Sequence, residues 1–117
     1  MNRSLLIRIV WAACLAGGTA THALALIGHG WRWDYGGVPW WVAGFWTSLT
    51  FIDPSAAAFL FVKPRIGAFA TVAIMAVDVA VNVWVVATYG GVVWMVASQI
   101  AFLIFVLATA KLALRYR

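Results

Sequence analysis

Charge is what this sequence lacks most. Only 9% of its 117 residues are charged. A soluble domain carries about 25%, so this chain could not cover a folded core with a water-compatible surface. Acidic groups are scarcer still: Asp34, Asp53 and Asp78 are the full set, and glutamate is absent. Cysteine occurs once, as Cys14 within an apolar run. That excludes an internal disulfide and a paired-cysteine metal site, and it predicts a small hydrophobic packing residue at that position. The sequence also lacks a polar linker, a low-complexity segment and any internal repeat, so the paired halves of larger transporters are missing. The length suits a single domain over 1–117.

What the chain has instead is apolar length: 66% of the residues are hydrophobic. About 20 mostly apolar residues cross a bilayer core as a helix, and four stretches meet that requirement, 5–27, 38–62, 66–88 and 92–114. The expectation is therefore an all-α integral membrane bundle of four transmembrane helices. The breaks are built from turn formers: Gly28 to Pro39, Lys63-Pro64-Arg65, and Tyr89-Gly90-Gly91. Connections as short as the last two force antiparallel neighbours. The first stretch has a signal-peptide look, with Arg3 ahead of an apolar run and Ala23-Leu24-Ala25 as a cleavage-like triplet. Arg8 interrupts that run, and the segment is read as a retained helix.

Basic residues set the expected orientation. Arg3, Arg8, Lys63, Arg65, Lys111, Arg115 and Arg117 fall on one side, and Arg32, offset by Asp34, on the other. The positive-inside rule then predicts a multi-pass protein of the cell membrane with both termini cytoplasmic. Trp31, Trp33, Tyr35, Trp40 and Trp41 crowd the opposite side, as an interfacial aromatic belt does. The net charge of +5 does not form a basic patch interleaved with polar surface, so nucleic acid is not an expected partner. The bilayer is. Ala12, Ala13, Ala16, Gly17, Gly18 and Ala20 give small-xxx-small spacings in the first helix, read as packing within the bundle.

Polar groups at membrane depth are the candidate site, because each charge there costs at least about 2.5–3.5 kcal/mol. Asp78 lies near the middle of the third stretch, and Thr71, Met75, Asp78 and Asn82 share one helical face. Trp46, Thr50 and Asp53 do the same in the second stretch. His22 and His29 share a face of the first, and Ser98 and Gln99 lie in the outer half of the fourth. The pattern predicts a polar cavity toward the non-cytoplasmic side with Asp78 at its floor. Asp53 precedes Pro54, so it reads equally as a site residue and as the cap of a helix broken or kinked at Thr50–Pro54. No cofactor or metal is expected. Haem ligation by His22 and His29 lacks an opposing histidine, and a zinc site would need His22 with both aspartates.

The run Phe51-Ile52-Asp53-Pro54-Ser55-Ala56-Ala57, the basic turn after it, then Asp78, Asn82 and Gln99 resemble the layout of EXPERA-type four-helix membrane proteins. That group includes sterol Δ8-Δ7 isomerases and the sigma-2 receptor. The resemblance covers roughly residues 45 to 105 and implies a cavity for a lipophilic amine or sterol. The isomerases carry a glutamate four residues after a first-helix histidine, whereas His22 is followed at that spacing by Leu26, and Gln99 stands where Asn followed by Trp is expected. The size also resembles small multidrug-resistance exporters, but their first-helix glutamate is missing.

Three functions fit these features. The first is an intramembrane cavity for a small lipophilic or cationic molecule, with Asp78, Asn82, His22, Thr50 and Gln99 as polar contacts and Trp46 and Trp84 as walls. Any chemistry there would be isomerase-like proton transfer by Asp78, with Asp53 second. The second is a homodimeric transporter coupled to protonation of Asp78. The third is an accessory subunit in which Asp78 and Asn82 only pin helices together.

Overall fold

The computed structural model describes residues 2–115, so Arg117 and its expected cytoplasmic placement lie outside the described residues. Four helices fill the chain: α1 (Arg3–His29), α2 (Trp40–Val62), α3 (Pro64–Tyr89) and α4 (Val93–Ala113). Each is long and apolar enough to cross a membrane. At 1.5 Å per residue they run roughly 30–40 Å, and the molecule is 47 Å along its longest axis. Their bounds fall within two residues of the apolar stretches.

Local chemistry explains the ends. The side chain of Asn2 accepts from the Leu5 N–H at 2.7 Å and caps α1. Gly30 and Gly90 close α1 and α3 at φ near +85° (88° and 83°), a conformation that costs side chains with a Cβ. Pro64 opens α3, where a missing N–H matters least. Pro54 lies inside α2, yet the helix runs through it unbroken. Of the break or kink expected at Thr50–Pro54, the break does not form.

The helices close into a ring in which each packs on its sequence neighbours and α4 returns to α1. The termini and the α2–α3 turn share one end. There Trp11, Leu15, Ala56, Leu60, Ala68, Val106 and Ala113 form the packed core. α2 and α3 come closest at Gly67, where a Cβ would run into the backbone of Phe59 and Leu60. Trp11 Nε1 donates to Thr109 Oγ1 at 3.0 Å, and Ser4 Oγ donates to the Ala113 carbonyl at 2.8 Å, which ties α1 to the end of α4.

Two packing expectations are corrected. Cys14 is exposed on the outer face of α1. Of the small residues in α1, only Ala12 and Gly18 are partly covered, while Ala13, Ala16, Gly17 and Ala20 point outward. The larger Trp11 and Leu15 take the inward face instead, since filling the ring interior buries more apolar area than close backbone approach does.

Candidate functional site

Asn82 is the hub of the polar interior. Its Oδ1 accepts from Trp46 Nε1 of α2 at 2.8 Å. Its Nδ2 donates to Asp78 Oδ1, one turn back on α3, at 3.0 Å, and to Gln99 Oε1 of α4 at 2.6 Å. One amide thus joins three helices and uses both of its N–H groups. The face predicted on α3 is the inward face: Thr71, Met75 and Asp78 are buried and Asn82 is partly covered. Thr71 turns its hydroxyl to the Gly67 carbonyl at 2.8 Å.

Above this layer, away from the termini, is a cavity of about 590 Å³. Trp46, Asn82 and Gln99 form its floor, His22 and Ala25 one wall, and Val85, Val86, Met95 and Val96 another. Tyr35, Gly36 and Gly37 of the first loop and Gly90 and Gly91 of the third line its mouth. The first loop folds inward because Asp34 organises it. Its Oδ1 accepts from the Gly36 N–H, and its carbonyl accepts from the Gly37 and Val38 N–H groups, all at 3.1 Å. Tyr35 takes φ 54° and lies against α2, its hydroxyl 3.1 Å from Thr47 Oγ1 and its ring edge-on to Trp46. Behind it the rings of Trp33 and His29 stack at 3.7 Å.

The sequence-predicted residues divide into three groups. His22, Trp46, Asn82 and Gln99 line the cavity together. Asp78, Asp53 and Thr50 do not; they lie deeper, with Asp78 behind Asn82. Trp84 sits on the outer face, 41% exposed, between Trp41 and Tyr89 with ring centres at 5.4 and 5.8 Å. Ser98 is also exposed and bonds its own helix at the Trp94 carbonyl. Sequence reasoning missed Tyr35 and the glycines at the mouth. The signal was present in Asp34-Tyr35-Gly36-Gly37, an Asp followed by residues able to take positive φ.

The cavity's unused hydrogen-bonding groups are few. Gln99 accepts with Oε1, and neither its Nε2 amide nor the His22 ring makes a hydrogen bond to the described residues. No carboxylate lines the cavity.

Asp53 is 6% exposed and its Oδ1 has no hydrogen-bond partner; of its two readings, as cap and as site residue, the first finds no capping hydrogen bond among the described residues. Among the described residues no three His, Cys, Asp or Glu side chains gather, and His22, Asp53 and Asp78 remain apart as a zinc set.

No protein-family model, curated protein or solved structure matches this chain.

Proposed function

We propose that this chain is a multi-pass protein of the cell membrane, both termini cytoplasmic, whose outer-half cavity binds a small, largely apolar, uncharged molecule carrying a hydrogen-bond acceptor. Four helices of spanning length support the membrane placement. Its orientation is supported by the gathering of basic residues at the terminal end and of tryptophans at the other. The observation that carries the binding reading is the cavity itself. It has the volume of a small-molecule pocket, mostly apolar walls, and the Gln99 amide and His22 ring as free polar groups.

This reading keeps the ligand-binding part of the EXPERA-like expectation and narrows it. A cationic amine finds no free carboxylate on the lining, and the proton transfer assigned to Asp78 lacks a carboxylate facing the ligand. Native mass spectrometry of the detergent-purified full chain tests the reading. The wild type should retain a small molecule from the membrane. Ala25→Trp, which fills the cavity from α1, should keep its helix content and lose that molecule. An empty wild type, or a variant that retains the same species, would contradict the reading.

A further inference from the structure

Beneath the cavity, outside its lining, two oxygen atoms on one face of α2 are buried without partners: Thr50 Oγ1 and Asp53 Oδ1. Residues three apart on a helix are neighbours, so these atoms belong to one locus. A third oxygen joins them. The Thr50 carbonyl would ordinarily accept from the N–H of residue 54, but that residue is Pro54 and has none to give. The side chain of α1 that would occupy this space is missing: a Cβ added at Gly18 would lie 3.0 Å from Asp53 Oδ2. From α3, which packs on α2, Asp78 is also buried, and its Oδ1 alone is taken up by Asn82.

Buried polar groups are almost always paired. Here the Thr50 hydroxyl and the Asp53 carboxylate have side-chain oxygens with no partner among the described residues, and the Thr50 carbonyl has lost its helical donor. A hydroxyl, a carboxylate and a carbonyl freed of its helical donor are all oxygen ligands of the kind that suits a hard cation. We propose that Asp53, Thr50 and Asp78 form a buried site for one sodium ion between α1, α2 and α3. Gly18 leaves the space, and the Thr50 carbonyl, freed by Pro54, supplies the backbone oxygen. The ligand set is oxygen only, as a hard cation requires, and it differs from the nitrogen and sulfur sets of zinc.

The test uses the full chain in detergent. Thermal unfolding is compared in NaCl, KCl and N-methyl-D-glucamine chloride at equal ionic strength, alongside equilibrium binding of radioactive sodium. The wild type should bind about one sodium per chain. Its Tm should rise by about 5 °C when sodium exceeds its Kd tenfold, with a smaller rise in potassium. Asp53→Asn and the near-isosteric Thr50→Val should each lose most of the rise and the binding. Ser98→Ala, on the exposed face of α4, should keep both. Equal Tm values in all three salts, an equal rise in potassium, or full binding by Thr50→Val would overturn the site. If Asp53→Asn fails to fold, Thr50→Val decides. A retained membrane ligand lost in Ala25→Trp bears only on the cavity, so the two proposals stand or fall separately.

Discussion

Gly67 shows how one hydrogen atom sets the spacing of two helices. α2 reverses into α3 through Lys63, and at Gly67 the backbones approach so closely that any Cβ would overlap the Phe59 and Leu60 main chain. Backbone cannot step aside as a flexible side chain can. Gly67→Ala should therefore cost about 1–3 kcal/mol, the range for overpacking, read as a fall in Tm of the purified protein. The contrasting substitution is Gly17→Ala, where no atom lies within 4 Å of the new Cβ. It should leave Tm unchanged or raise it, since alanine favours the helix. A Gly67→Ala protein as stable as wild type would show that the two helices do not meet as described. Asn82 illustrates the complementary point. Its three hydrogen bonds to Trp46, Asp78 and Gln99 use both of its N–H groups, so it has no donor left for a ligand and fixes the floor of the cavity.

At the scale of elements, the terminal end is held by an exchange between α1 and α2. The Leu60 carbonyl would normally accept from residue 64, which is Pro64, and Arg8 Nη1 donates to it at 2.9 Å instead. A cation at a helix C-terminus also meets the negative end of its dipole. Arg8→Met should leave that buried carbonyl unsatisfied and destabilise by about 1–3 kcal/mol. Adding Pro64→Ala returns an N–H four residues on. The double variant should recover part of the loss, a coupling of about 1 kcal/mol in a double-mutant cycle of unfolding midpoints. Additive losses would mean that Arg8 does not serve this carbonyl.

The sequence made the elements legible because apolar length and turn formers are local signals. The 5–27, 38–62, 66–88 and 92–114 stretches already mark α1 to α4, and the α3 face carrying Asp78 and Asn82 follows from spacing alone. What stayed hidden depends on how the ring closes. Arg8 reads as a marker of the basic side, and only the fold turns it inward against Leu60. Trp84 and Ser98 lie at plausible depths, but rotation of the helices places both outside. Asp78 has the right depth for a floor, yet Asn82 lies one turn above it and seals it from the cavity. The place of Tyr35 at the cavity mouth needs the first loop to fold back onto α2, a long-range event that no spacing records.

For the whole molecule, the division is by height: a packed core at the terminal end, buried carboxylates in the middle, and a cavity at the other end. In the proposed membrane placement, the core end with Lys63 and Arg65 lies at the cytoplasmic face and the cavity opens to the opposite side. The most direct measurement is labelling of single cysteines with a membrane-impermeant maleimide, in a Cys14→Ala background. Val92→Cys stands at the cavity mouth, and Arg65→Cys in the first turn of α3 leaves the other basic residues in place. The expected result is labelling of Val92→Cys in intact cells, and of Arg65→Cys only after permeabilisation. The reverse pattern, or labelling of both positions in intact cells, would contradict a bundle that spans the membrane with its cavity facing outward.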